Sequence, residues 1–250
     1  MVKICIISAA EDKILEKFIS SLVNITEDFH CYILRNKPTK IDVLENDKIT
    51  MKIVDNKNYR NDNNGFKFLK ARIDSVAMAS SNTDDVIMLG DDDMIFREGF
   101  KFAHNPAFNE GFDFCVATKQ NCVVNGNRWR DIGCWFGFYC KYNKKIWKEL
   151  DKYKDFVGAG EDGIIGFKHY EMTKGKGLWV YVDDIVHIGY NTYLYQSESY
   201  DSSLMTFHLF WGASAYEDKY YNDTKQIFNL IYPKLRKPKM RVFAGERRIK

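Results

Sequence analysis

Strand-like and helix-like periods alternate along the first ninety residues, and few folds accept that order. Lys3 to Ser8 is apolar and β-branched, as a strand requires, while Asp12 to Leu22 places Ile14, Leu15, Phe18, Ile19 and Leu22 on one face of a 3.6-residue period. His30 to Arg35 and Met51 to Val54 predict a second and a third strand. Asn and Asp crowd the stretch from 55 to 65, which predicts a loop. Phe66 to Ser80 resumes the helical period through Phe68, Leu69, Ile73, Val76 and Ala77 and feeds a strand at Val86 to Leu89. This order predicts an α/β fold with a mostly parallel, Rossmann-like sheet flanked by helices.

The fourth of those strands ends in an unusual way. Val86-Ile-Met-Leu-Gly90 runs into Asp91, Asp92 and Asp93, and Met94-Ile-Phe96 is apolar again. Three neighbouring carboxylates repel one another and favour neither strand nor core, so a fold keeps them if they bind a divalent cation or if they face water. The crevice outside the carboxyl ends of the strands is where ligands bind in open α/β sheets.

The second half is less regular. Phe112 to Thr118 and Trp135 to Cys140 predict strands around a polar hairpin or loop at Asn125, Gly126 and Asn127, and Lys144 to Leu150 a short helix. Glu161 and Asp162 lie between glycines at the start of a helix through Glu171, where a helix N-terminus favours negative charge; a capping role alone accounts for one acid there. Leu178 to Val182 predicts another strand, followed by Asp183, Asp184 and His187. A lone histidine in such a segment is a core residue or a ligand. From Thr206 to Pro233 the pattern is helical and aromatic.

Composition sets the class. At 45% hydrophobic and 28% charged, the 250 residues suit an ordinary globular protein. The opening apolar run breaks at Glu11 and Asp12, too short for a signal peptide or a membrane span, so a cytoplasmic chain without a transmembrane segment is expected. Six cysteines without a Cys-x-x-Cys pair read as buried reduced thiols. From Lys234 onward eight basic residues face Glu246 alone, a local charge of +7 that leaves −4 for the rest of a chain totalling +3. Such a tail is a solvated terminal segment or a contact for nucleic acid, anionic lipid or substrate phosphates.

The order of these elements resembles the GT-A nucleotide-sugar glycosyltransferases, in particular their large inverting family, over residues 3 to 190. Asp91 and Asp93 match its Asp-x-Asp motif. Glu161-Asp162 is similar to its Glu-Asp pair, and Trp179 through His187 to its strand ending in histidine. Asn64-Gly65 and Ala71-Arg72 resemble its Asn-x-Gly and Ala-Arg-Asn helix, with Ile73 in place of the last Asn.

The resemblance implies one GT-A domain over 1–232, with a nucleotide-binding half at 1–95, an acceptor half at 96–232 and a basic tail at 233–250. It implies a nucleotide-diphosphate sugar as donor and Mn²⁺ or Mg²⁺ as cofactor, held by Asp93 and His187, with Asp91 on the metal through water or on the ribose, and Asp92 sharing either role. Ser8, Ala9 and Ala10, with Asp55 or Asn56, would contact the nucleoside, and Arg72 the diphosphate. Asp162 would be the general base and Glu161 would position the acceptor, giving one displacement with inversion. Trp135, Phe136 and Phe138 form an aromatic wall or core strand residues. The aromatics from Tyr190 to Tyr221, with the tail, suit a glycan, a lipid-linked glycan or a hydroxylated DNA base as acceptor. Two other readings stay open: a nucleic-acid-binding protein without transferase activity, and a metal-dependent phosphatase or nuclease. Two-aspartate phosphatases carry their acids on the first strand, whereas here it ends Ser8-Ala9-Ala10.

Overall fold

A computed structural model describes residues 1–41, 46–61, 66–79, 82, 85–102, 104–109, 111, 113–118, 122–124, 127–129, 137–157, 161–173, 177–181, 185–187 and 247–248. In chain order the elements are β1 (Val2–Ser8), α1 (Asp12–Ser21), β2 (Phe29–Arg35), β3 (Ile49–Ile53), α2 (Phe68–Met78), β4 (Val86–Asp91), β5 (Met94–Phe96) and α3 (His104–Asn109). They continue with β6 (Phe114–Thr118), β7 (Cys122–Val124), β8 (Asn127–Trp129), β9 (Phe138–Lys141), α4 (Lys144–Asp151), α5 (Glu161–Thr173), β10 (Gly177–Tyr181), β11 (Ile185–His187) and β12 (Arg247–Arg248). Among the described residues the main sheet has eight strands in the order β12-β10-β6-β9-β4-β1-β2-β3. All its pairs are parallel except those made by β9, which runs antiparallel between β4 and β6. The chain is therefore an α/β protein with a Rossmann-like, mostly parallel sheet.

Burial explains why the central strands are apolar on both faces. Ile4, Ile6 and Met88 pack with Leu15 and Phe18 of α1, while Cys5, Ile87 and Leu89 point the other way onto Leu69 and Val76 of α2, Trp147 of α4 and Ile165 of α5. The helices thus cover opposite faces of one sheet. Cys5, Cys31, Cys115 and Cys140 are buried free thiols, and burial pushes the Cys5 thiol up to about 12, so it behaves as a small apolar group.

Several sequence expectations shift. β3 begins two residues earlier than expected, and β4 runs on through Gly90 and Asp91, so the first carboxylate is still on the strand. A β-carbon at Gly90 would run into Met94 Cε and press on Ile6 Cδ1, which is why the strand reaches the acids through a glycine. α2 starts at Phe68, because Phe66 bridges Arg60 and Lys67 takes the cap position. Its buried face is Leu69, Ala71, Arg72, Ser75 and Val76, which keeps Leu69 and Val76 of the expected apolar set, while Ala77 is exposed. Phe138 is a core residue stacked on Phe114, not part of a substrate wall. β7 and β8 pair antiparallel, with Val124 opposite Asn127, as the hairpin alternative expects. Trp135, Phe136, Asn64, Gly65, Asp183, Asp184, the aromatics from Tyr190 onward and the basic tail apart from Arg247 and Arg248 lie outside the described residues. Among those described, no helix is long and apolar enough to cross a membrane.

One core histidine ties stability to pH. His169 of α5 sits among Phe114, Phe138 and Trp147, donates from Nδ1 to the Ile165 carbonyl (2.8 Å), and finds no described hydrogen-bond partner at Nε2. Burial holds its pKa down, at about 4 against the ordinary 6.5, with the Ile165 contact opposing. Because the folded value is depressed, the unfolded chain binds the extra proton: the stabilisation is complete above about 6.5 and is lost as pH falls toward about 4. Replacing His169→Asn keeps a donor for Ile165, and urea titrations over that window are expected to show a pH slope shallower by up to about 1.4 kcal/mol per pH unit, one proton's share.

Candidate functional site

β1 leads outward to β2 and β3, and the chain then crosses back to lay β4 on the other side of β1. The carboxyl ends of β1 and β4 therefore flank the switch point of the sheet, with Ile7 in register with Asp91. A cavity of about 140 Å³ opens there. Its lining combines an apolar and aromatic set, among them Leu34, Val54, Tyr59, Phe66 and Phe68, with the carboxylates Asp91, Asp92 and Asp93, and Ser8, Ala9 and Asn36 also face it.

The three carboxylates have different surroundings. Asp92 is buried and accepts from the Ala10 amide (2.9 Å) and from the Ser8 hydroxyl, sewing the end of β4 to the end of β1. Ser8 Oγ in turn accepts from Arg35 (2.7 Å), a fully buried cation that also reaches the Ala10 carbonyl (3.1 Å) and Asp12 (2.5 Å). Burial raises the Asp92 pKa to about 6; the Ser8 and Ala10 hydrogen bonds oppose it, and the charges of Asp93 and Asp91 add to it. Asp93 is buried at the turn into β5. Asp91 is partly exposed and paired with Arg72 (Nη2 to Oδ1, 2.6 Å). The option that the acids simply face water is thus excluded for Asp92 and Asp93.

Arg72 links this end of the sheet to α5. Besides Asp91, its Nη1 donates to the Gly90 carbonyl (2.5 Å), and its Nε lies 3.4 Å from Glu161 Oε1 at the first position of α5. A guanidinium 2% exposed costs several kcal/mol to desolvate unless it is paired, and here three acceptors share it. On the other flank, β11 pairs antiparallel with β5 and sets His187 opposite Met94, the neighbour of Asp93. Asp162 follows Glu161 in the first turn of α5.

The remaining expected contacts separate. Ser8 and Ala9 line the cavity, and Ala10 turns its amide to Asp92. Asp55 is exposed, caps the following turn through the Lys57 amide (2.9 Å) and does not line the cavity. The lining residues Asn36, Tyr59, Phe66 and Phe68 went unread in the sequence; the signal was an aromatic trio spaced around an Asn-rich loop. Arg35 closing a strand otherwise apolar from Tyr32 to Leu34 was a second unread sign.

The donors suit a hard divalent cation. Asp92 is pushed up partly by the two adjacent carboxylates, a local excess of negative charge that Mg²⁺ or Mn²⁺ would relieve. Among the described residues no three His, Cys, Asp or Glu side chains already form a metal cage.

No family model and no curated protein matches the chain. Among solved structures, it is similar to 4-diphosphocytidyl-2C-methyl-D-erythritol synthase from Anaerococcus prevotii (13% identity, TM-score 0.48, 75% of this chain and 92% of that one). It is also similar to 2-C-methyl-D-erythritol 4-phosphate cytidylyltransferase from Francisella tularensis (12%, 0.43, 75% and 94%) and to a nucleoside-diphosphate-sugar pyrophosphorylase from Vibrio cholerae (10%, 0.45, 76% and 96%).

Truncating the shared cation tests this network. Arg72→Ala leaves Asp91 and Glu161 without their common counter-ion, and chemical denaturation is expected to show a loss of about 3 kcal/mol or more.

Proposed function

We propose that the chain transfers a sugar from a nucleotide-diphosphate donor to an acceptor hydroxyl, with inversion, assisted by Mn²⁺ or Mg²⁺. The observation that carries this reading is the guanidinium of Arg72, which joins Asp91 of the acidic strand end to Glu161 of the acid pair seventy residues later. The aromatic and apolar lining of the cavity supports a nucleobase beside β1 and β2, with Ser8 and Ala9 on the nucleoside and Asp91 toward the ribose. Asp93 and His187 are the residues that hold the cation, which when bound stabilises the diphosphate leaving group as a Lewis acid. Asp162 takes the acceptor's hydroxyl proton as the oxygen attacks the anomeric carbon, and the bond to the diphosphate breaks with its electron pair leaving on the phosphate oxygen. Glu161 orients the acceptor. In this reading residues 1–95 bind the nucleotide and 96–232 the acceptor.

For the acceptor, the +7 tail favours a polyanion: a lipid-linked or surface glycan, or DNA carrying a hydroxylated base.

Incubating the protein with nucleotide sugars, Mn²⁺ and both acceptor classes is expected to release nucleoside diphosphate. Asp162→Asn should lower kcat by about 10²–10⁴-fold with donor binding kept, and Asp93→Ala should abolish the part of donor binding that depends on the metal. Phosphate release without a donor, or pyrophosphate release from a nucleoside triphosphate and a sugar phosphate, would replace glycosyl transfer by another chemistry.

A further inference from the structure

Two cations on one helix hold the approach to α5. Lys67, at the head of α2, reaches Asp155 (2.6 Å), and Arg72 reaches Glu161 (3.4 Å) five residues on. The same guanidinium grips Asp91 and the Gly90 carbonyl, so one planar fork spans the end of β4 and the first residue of α5. Asp91 and Glu161 would repel each other without it. With 2% exposure and three acceptors on separate nitrogens, the fork is committed to the protein.

Resting on the transferase reading, we propose that Arg72 is a positioning residue, which sets the acid pair Glu161-Asp162 against the donor-side Asp91 and does not itself touch the diphosphate. Lysine at this place keeps the charge but loses the fork, because an ammonium is a point charge without the planar geometry that serves three fixed acceptors. The α5 start then loses its register on β4. Lys67 cannot take over, since its partner Asp155 is exposed and the pair is worth little.

The test compares wild type with Arg72→Lys, Glu161→Gln and the double variant, each first shown to be folded at the assay temperature by circular dichroism. Arg72→Lys is expected to lower kcat by about 10²-fold while the donor KM stays within about threefold, the pattern of misplacement and not of lost donor contact. The double variant should be no slower than the slower single variant, since both substitutions break one link. Amide exchange, read by mass spectrometry without substrate, should rise in peptides covering the start of α5 and stay at the wild-type level in α1. A donor KM raised tenfold or more at unchanged kcat would put Arg72 on the diphosphate and overturn the proposal, as would unchanged exchange at α5. Raised exchange in a protein that turns over no nucleotide sugar would support the link and leave only the transferase reading to fall.

Discussion

Three adjacent carboxylates at the buried end of a central strand impose the constraint that organises this molecule. Burial makes each of them costly, and Asp91 and Asp92 are compensated in different ways. Asp91 takes half of a guanidinium fork, and Asp92 takes the Ala10 amide, the Ser8 hydroxyl and a pKa raised to about 6. Arg35 and Arg72, both withdrawn from water, exist on that account: one stiffens the loop after β1 through Ser8, the other fastens α5 to the sheet. Replacing Arg72 by an apolar side chain would leave Asp91 and Glu161 without the cation between them, and replacing Arg35 would take from Asp12 its buried counter-ion.

Much of the frame was readable because it is local. β1, α1, β2 and β4 follow their hydrophobic periods, and the two-sided burial of Ile4, Cys5 and Ile6 is what an uninterrupted apolar strand under two helix layers predicts. The misreadings share a cause. Arg72 and Ser75 occupy the buried face of α2, so the apolar period pointed at Ala77 instead; charge pairing across eighty-nine residues overrode local pattern. Phe138 was open to either reading, wall or core strand, and it is core because β9 is inserted between β4 and β6, a pairing that no nearby residue announces.

The site divides along the same line. The acids could be found by their spacing, because Asp91, Asp92 and Asp93 stand where apolar residues stop. The groups that hold them were legible only as nucleotide contacts: Ser8, Ala10 and Arg72 turn to the acids, and Arg35 behind Ser8 acquires meaning only once β2 lies beside β1. Sequence therefore exposes reactive side chains more readily than the scaffold that tunes them.

The antiparallel insertions explain how distant pieces meet. A purely parallel sheet would carry each later segment outward, away from the switch point. β9 turns the chain back against β4, and the β5–β11 ribbon returns residues 185–187 to the turn that follows Asp93. α5, leaving from the other side, is drawn in by Arg72. Two return paths and one buried cation thus bring residues separated by up to ninety-three positions to a single crevice edge, with His187 opposite Met94 as the longest of these links. Without those returns the cluster would keep only its partners from β1 and α2; here the topology adds residues 185–187 on one flank and the start of α5 on the other.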